Sequence, residues 1–141
     1  MARCRFERSS FDLLIQGNNR DKPMKYLLLI YMEENAMNQT DREHCYGEST
    51  QLAQELHAKG QFLSAAPLHP VATATSVRVR DGKQFVTDGP FAETREQLGG
   101  FFLVDAQDLD EAIAIAARIP GARAGTIEIR PVIEVAGLPK N

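Results

Sequence analysis

Two short runs of apolar residues dominate the hydrophobic pattern of this chain. Lys25 to Met32 and Phe101 to Val104 are apolar at nearly every position, and both are too short for ordinary helices. Continuous apolar runs of this length are typical of strands that are covered on both faces. The pattern therefore predicts two central strands of a sheet.

A longer segment between these runs repeats its apolar residues at spacings of three and four, which predicts an amphipathic helix. We expect it to start at Thr40, where Glu43 would complete a capping box, and to stop at Gly60. Gly47 is a weak point that could split the helix. Its expected apolar stripe consists of Cys45, Ser49, Leu52, Ala53 and Leu56.

A second amphipathic helix follows the second apolar run. Asp108 and Glu111 form an acidic, cap-like start, and Pro120-Gly121 is expected to end the helix. Its apolar residues again recur every three or four positions. The residues expected on its buried face are Leu109, Ala112, Ile113, Ala116 and Ile119.

The remaining predicted strands are shorter and more polar. Phe62 to Ala66 is typical of a short strand and is followed by a proline. Ser76 to Arg80 and Lys83 to Thr87 flank Asp81-Gly82, a dipeptide that favours a type I′ hairpin turn. Ile127 to Val135 alternates apolar and charged residues, which suits an outer strand.

The order of elements is strand, helix, strand, hairpin, strand, helix, strand. It predicts an α+β fold, a ferredoxin-like βαββαβ plait with an inserted β-hairpin, whose antiparallel sheet carries two helices on one face. The two continuous apolar runs fall on the strands that lie in the middle of such a sheet. The other face, made by Tyr26, Leu28, Ile30 or their neighbours, needs a second layer, so we expect a homodimer that packs sheet against sheet.

Composition and charge favour one small globular domain. The chain has 141 residues, of which 43% are hydrophobic and 25% are charged, enough for one real core. Its net charge is −3 and it has no basic block, so no nucleic-acid partner is expected. Cys4 and Cys45 lack the spacing of a paired motif, which favours free thiols in a reducing cytoplasm.

The first 23 residues differ in character from the rest. Arginines precede a short apolar patch that Asp12 interrupts, so we expect neither a secretory signal nor a membrane span. We expect residues 1–23 to be an extension of unknown role, either a tail that packs on the surface or adds a strand, or sequence upstream of a natural start at Met24. The domain is then expected at residues 24–136, with a short tail at 137–141.

A polar loop after the predicted hairpin concentrates candidate chemistry. Asp88 could act as a general base if a partly buried site raised its pKa, or it could accept backbone N–H bonds in an Asx-turn. Glu93 and Arg95 could position an anionic or carbonyl substrate, or form a solvated ion pair. Gly99 and Gly100 could let a ligand approach the backbone, or form a β-bulge at the start of a strand.

Aromatic and histidine side chains extend this candidate site. His69 lies in a loop that could face the same cavity as Asp88 and supply an acid–base partner, the alternative being a surface histidine. Tyr31, Tyr46 and the Phe101-Phe102 pair could line a ligand pocket, with core packing as the alternative, and Phe91 is a further candidate ligand-binding residue. No cluster of ligands has the spacing of a metal site, so we expect neither a metal nor a cofactor.

Five separate segments, in order along the chain, resemble one family. They resemble the YCII-related family in its DGPF-domain branch, and they are Met24 to Tyr31, Ala72 to Arg78, Asp88-Gly89-Pro90-Phe91-Ala92-Glu93-Thr94, Gln97 to Phe102 and Asp108 to Ala112. The resemblance implies a bacterial, cytoplasmic protein with the fold of a dimeric α/β barrel. YciI-type members of the family carry a proposed catalytic His and Asp pair. Asp88 matches the Asp, whereas the place of the histidine falls near Ser49 and has no histidine.

Two classes of function remain open. The first is a small cofactor-free enzyme, lyase- or isomerase-like, in which Asp88 moves a proton in the cavity of the barrel and Glu93 or Arg95 positions the substrate. The second is a non-catalytic ligand-binding or regulatory module, which the resemblance links to extracytoplasmic-function sigma factors. We expect the enzyme to hold Asp88 in a concave, partly buried place beside a second titratable group, whereas the module could expose it.

Overall fold

A computed structural model describes residues 23–140, so the expectations for the extension before Pro23 and for Asn141 lie outside the described residues. Within that range the chain forms six strands and three helices. In chain order they are β1 (Met24–Met32), α1 (Gln39–Ala58), β2 (Phe62–Pro67), β3 (Thr75–Arg80), β4 (Lys83–Asp88), β5 (Gln97–Ala106), α2 (Leu109–Arg118), α3 (Gly121–Ala124) and β6 (Thr126–Pro131).

Four of the strands form one antiparallel sheet in the order β2-β5-β1-β6. The two continuous apolar runs lie on β1 and β5, which are the central strands, and β6 is an outer strand, as predicted. β3 and β4 form a separate two-stranded hairpin. The fold is therefore α+β with antiparallel sheets, consistent with the predicted ferredoxin-like plait and its inserted hairpin.

The core lies between this sheet and the helices. Tyr26 and Leu28 of β1 are 4% and 0% exposed and belong to the same buried cluster as Leu52 and Leu56 of α1. Because successive side chains of a strand point to opposite faces, the alternate residues of β1 point away from the helices. The open face is therefore made by the neighbours of Tyr26, Leu28 and Ile30. Its apolar residues are half-buried, and they are Leu27, Leu29, Tyr31, Phe101 and Leu103.

Helix α1 begins earlier than expected and is continuous. Its N-cap is Asn38, whose side chain accepts a hydrogen bond from the backbone N–H of Asp41 at 2.8 Å, so the predicted cap at Thr40 is wrong. The two candidates are close in sequence, and the amide oxygen of Asn38 is a stronger cap than a threonine hydroxyl. Gly47 does not split the helix, and Gly60, with φ of 72°, follows its end as predicted.

Gly47→Ala is expected to raise the free energy of unfolding by about 1 kcal/mol, because alanine loses less backbone entropy in a helix interior. A Cβ atom at this position would meet nothing within 4 Å, so no steric cost opposes the gain. Urea unfolding followed by circular dichroism would measure the change. An unchanged or lowered midpoint would contradict a regular helix through Gly47.

Helix α2 has the predicted acidic cap but a different buried face. The Asp108 side chain accepts a hydrogen bond from the backbone N–H of Glu111 at 2.9 Å. Leu109 and Ile113 are 51% and 49% exposed, so their predicted burial is wrong, and Ile115 is buried instead. Ile113 lies about 100° around the helix from Ala112, which turns it away from the sheet, and Leu109 lies in the first turn.

The inserted hairpin has the predicted turn. Asp81 and Gly82 have φ values of 51° and 73°, the positive values that a type I′ turn requires at both central residues. The strands pair from Thr75 with Asp88 to Arg80 with Lys83. Asp88 is thus the last residue of β4, and the chain turns at Gly89, whose φ is 96°.

Strand β5 is longer than its apolar run and contains a bulge. Ile30 pairs with Gly100 and Tyr31 with Leu98, so Gly99 is the extra residue, as the bulge alternative predicted. A Cβ atom on Gly100 would lie 2.9 Å from the carbonyl oxygen of Ala66. Gly100 therefore allows β2 and β5 to approach each other at this end of the sheet.

The region after α2 departs most from the expectation. The short helix α3 follows Pro120 directly, although Pro120-Gly121 was expected only to end a helix. β6 ends at Pro131, and Ile133 and Val135 beyond it are 52% and 57% exposed, so the predicted continuation to Val135 is wrong. A proline removes a ladder donor and favours the end of a strand. None of the helices in residues 23–140 is long and apolar enough to cross a membrane.

Candidate functional site

A cavity of about 460 Å³ lies between α1 and the helix-facing side of the sheet. Its inner wall continues the core, because the residues there are buried or pack against buried ones. These inner residues are apolar, and they are Ile30, Ala53, Phe62, Ala65, Phe102 and Ile119. Polar side chains join the lining at the outer end, where Glu34, Arg42, His69 and Gln97 lie.

Glu34 holds the outer end of the cavity together. Its backbone N–H donates to Oε1 of Gln97 at 3.3 Å, and its own Oε1 accepts from the backbone N–H of Val71 at 2.6 Å. Its carbonyl oxygen accepts a hydrogen bond from Nη2 of Arg42 at 3.2 Å. One residue thus connects the start of β5, the loop after β2 and the first turns of α1.

Space for the cavity comes from small residues in the first half of α1. Leu52 and Leu56 fill the gap between the second half of this helix and the sheet. One and two turns earlier, the same stripe holds Ser49 and Cys45, whose short side chains line the cavity instead of filling it. The stripe was predicted from the sequence, but the change of side-chain size along it is the signal that marks the cavity.

Cys45 is a half-buried thiol in this wall, and its Sγ contacts Sδ of Met37 at 3.5 Å. Burial raises the pKa of the thiol, and the nearby charge of Glu48 raises it further. Since the thiolate is the nucleophilic form, a raised pKa keeps Cys45 protonated and unreactive near neutral pH. The cavity therefore does not contain an activated cysteine nucleophile at this position.

Alkylation of Cys45 by iodoacetamide, in a Cys4→Ser background, is expected to be slower at pH 7 than alkylation of a free cysteine peptide. The rate should rise with pH to a midpoint above that of the peptide, because thiolate forms only above the raised pKa. Mass spectrometry at timed intervals would measure both rates. A midpoint below that of the peptide would contradict a desolvated thiol.

The structure places the sequence-predicted site residues in different parts of the chain. His69 lines the cavity. Asp88 is exposed at the end of the hairpin and does not line it, and Glu93 and Phe91 are also exposed, Phe91 by 82%. Among the described residues, the Asp88 side chain forms no hydrogen bond, so the Asx-turn that was one alternative for Asp88 is not formed. The backbone N–H of Gly89 donates to the carbonyl oxygen of Ala74 at 2.7 Å.

Arg95 and Tyr31 lie near the cavity but outside its lining. Nε of Arg95 pairs with Oε1 of Glu33 at 2.5 Å, and the Arg95 side chain is 90% exposed. This is a solvated ion pair, but its acidic partner is Glu33 and not Glu93, the partner that the sequence alternative named. Arg95 borders a shallow hollow of about 280 Å³ that shares Glu34 and Gln97 with the cavity. Tyr31 lies on the open face of the sheet, on the side away from α1.

The sequence did not reveal the role of two residues at the outer end of the cavity, which we also call its mouth. Glu34 and Arg42 had no role in the prediction, because polar residues beside a helix start are ordinary surface residues by pattern alone. Glu34 contacts Val71 and Gln97, which are far from it in the sequence, and Arg42 binds the carbonyl oxygen of Glu34. In residues 23–140, no group of three or more His, Cys, Asp or Glu side chains could hold a metal ion.

Comparison with known proteins gives a family but no activity. The sequence profile of the YCII-related domain matches residues 24–136, which include all six strands and all three helices described above. An uncharacterized protein of Rhizobium meliloti (strain 1021) is 36% identical over 118 residues, covering 77% of this chain and 92% of that protein. Neither match names a reaction or a ligand.

Proposed function

The chain belongs to the YCII-related family, and we propose that it binds a small organic molecule in the cavity between α1 and the sheet. The single observation that carries this proposal is the cavity of about 460 Å³, with an apolar inner wall and a polar outer end. Small-molecule sites in proteins are typically apolar clefts of roughly 300–1,000 Å³ with a few polar groups that orient the ligand.

A binding role fits the position of Asp88 better than proton transfer does. A general base must reach the proton it removes, and Asp88 is exposed and outside the cavity lining. Acid–base catalysis by Asp88 would require a second subunit to cover this end of the hairpin. The proposal is therefore a non-catalytic, cofactor-free binding protein, with a cytoplasmic location that the free Cys45 thiol supports.

A metabolite screen by thermal shift tests this function, with Ser49→Leu as the variant that fills the cavity. A ligand at about 100 times its Kd is expected to raise the melting temperature of the wild type by roughly 5 °C or more. Ser49→Leu should abolish that shift, because Ser49 lines the cavity. Gln51→Leu is the matched control, since Gln51 is exposed on the same helix and does not line the cavity.

Two results would contradict the proposal. One is a screen in which no compound stabilises the wild type. The other is a ligand that stabilises the wild type, Ser49→Leu and Gln51→Leu by the same amount, because that ligand would bind elsewhere. The unliganded melting temperatures of all three proteins separate loss of binding from loss of folding.

We also propose that the protein is a homodimer whose copies pack through their open sheet faces. This face presents Leu29, Phe101 and Leu103 without a helix over them. Apolar surface of this kind favours association with a second apolar surface. The hairpin adds further exposed apolar side chains, namely Val77, Val79, Phe85 and Val86. A twofold dimer would use the same face on both copies.

A further inference from the structure

We propose that the ligand of the cavity is an amphipathic organic anion, with an acidic group bound by Arg42 and an apolar body against the inner wall. This inference rests on the proposed binding function and adds the chemical class and the orientation of the ligand. The observations that carry it are the unused donors of Arg42, the engagement of Glu34, and the division of the lining into a polar end and an apolar end.

Among residues 23–140, Arg42 is the one lysine or arginine of the cavity lining, and most of its N–H donors have no partner there. It is half-buried, and one N–H group donates to the carbonyl oxygen of Glu34 at 3.2 Å. Arg42 takes part in none of the five ion pairs found within residues 23–140. A guanidinium has five N–H donors in a planar fork that matches a carboxylate or phosphate. An acidic ligand group would supply the missing partner.

The two acidic side chains of the cavity lining, Glu33 and Glu34, are already engaged. Oε1 of Glu34 accepts the backbone N–H of Val71 at 2.6 Å, and Glu33 is paired with Arg95. The hydrogen bond from the backbone N–H of Val71 fixes the carboxylate of Glu34 in the wall at the outer end of the cavity. Glu34 therefore positions Arg42 through its carbonyl oxygen and the loop after β2 through its carboxylate. The remaining N–H donors of the Arg42 guanidinium have no partner among residues 23–140.

Three further polar side chains line the same cavity. The side chains of Ser49, Tyr46 and His69 line it, and none of them forms a hydrogen bond with another side chain or backbone group among residues 23–140. Ser49 is half-buried, whereas Tyr46 and His69 are exposed, and a ligand that displaces water from these groups would have to replace its hydrogen bonds. These groups can hydrogen-bond the second oxygen of an acid or a nearby hydroxyl group, which adds specificity beyond the charge.

The inner end of the cavity suits an apolar and preferably aromatic body. Phe62 and Phe102 present rings there, and Ile30, Ala53 and Ile119 complete the wall. Rings in such walls favour edge-to-face or offset contacts with an aromatic ligand. A polar group at this depth would lose its water without gaining a partner. The acid therefore lies at the outer end and the apolar body at the inner end.

Three probes with one skeleton and different charge test the inference: 4-phenylbutyrate, 4-phenylbutanamide and 4-phenylbutylamine. Their dissociation constants would be measured by amide chemical-shift titration of the full chain. The wild type is expected to bind the acid about tenfold or more tightly than the amide, which is the usual effect of a charge-assisted hydrogen bond. Arg42→Gln should remove this preference and leave the affinity for the amide within about twofold.

Arg78→Gln is the matched control, because Arg78 is an exposed arginine on the hairpin and does not line the cavity. It removes the same positive charge from the protein, and the preference for the acid should survive. Equal loss in both variants would overturn a specific role of Arg42. The melting temperature of each variant shows that the comparison is made between folded proteins.

The outcomes separate this inference from the proposed function. Equal binding of acid and amide, with both abolished by Ser49→Leu, would overturn the anionic class and leave the cavity as a binding site. Tighter binding of the amine than of the acid would also overturn the anionic class, and it would indicate that Glu34 binds the charged group of the ligand. If none of the three probes shifts the amides of cavity residues, the anionic class is overturned at this ligand size, and the metabolite screen decides the proposed function by itself.

Discussion

Gly125→Ala is expected to lower the free energy of unfolding by about 3 kcal/mol and the melting temperature by roughly 10 °C. A Cβ atom on Gly125 would lie 2.0 Å from the carbonyl oxygen of Tyr31 and 3.1 Å from Cα of Met32. Both atoms belong to the backbone of β1, a central strand that is held by hydrogen bonds on both sides. The strand cannot move aside without weakening its pairing with β5 or β6.

We assign the expected loss of stability to steric contact between the new methyl group and the backbone of β1. The φ of Gly125 is −148°, which lies outside the left-handed region that favours glycine. Gly47→Ala is the matched control, because the same methyl group meets nothing within 4 Å there. Chemical denaturation of both variants and the wild type would measure the difference. A Gly125→Ala protein as stable as the wild type would contradict the close approach of the chain after α3 to β1.

The elements that the sequence predicted correctly are those whose signal is local. The turn at Asp81-Gly82 needs two residues that accept positive φ, and Asp-Gly is such a pair. β1 and the apolar part of β5 are continuous apolar runs of a few residues, a pattern typical of central strands, and both strands have neighbours on either side. The acidic cap of α2 at Asp108 also depends on neighbours in sequence. Each of these predictions required only a few adjacent residues.

The elements that were missed depend on contacts between distant segments. Helix α3 is four residues long, too short to show periodicity, and it is held by the packing of Gly121 against Ile30 and Met32. The burial of Ile115 in place of Ile113 depends on how α2 is rotated against the sheet. Local propensity carries no information about that rotation, so the apolar pattern assigned Ile113 and not Ile115 to the buried face.

The same distinction explains the candidate site. The sequence predicted a site around Asp88 because polar residues are concentrated there. In the structure Asp88 lies at the exposed end of the hairpin, outside the cavity. The cavity arises instead where α1 changes from Leu52 to the smaller Ser49 and Cys45. That change is visible in the sequence, but it becomes informative only once the helix is known to lie over the sheet. The predicted candidates that do line the cavity are His69, Tyr46, Gly99, Gly100 and the Phe101-Phe102 pair.

Leu103→Arg is expected to weaken the proposed dimer by about 100-fold or more. Leu103 lies on the open face of central strand β5, between Leu27 of β1 and Ser64 of β2 in the pairing register. It is half-buried in the single chain, so an arginine can extend into solvent there without unfolding the protein. In a sheet-to-sheet dimer the same side chain would be buried without a partner on both copies, at a cost of several kcal/mol.

Ile113→Arg provides the matched control for this experiment. Ile113 is 49% exposed on α2, on the helical side of the sheet, so the same substitution there leaves the open face unchanged. Sedimentation equilibrium over a range of concentrations would give the dissociation constant of each protein. The proposal requires a dimeric wild type, a dimeric Ile113→Arg variant and a monomeric, folded Leu103→Arg variant. A wild type that is monomeric, or a Leu103→Arg variant that dimerises as the wild type does, would show that the open sheet face is not the interface.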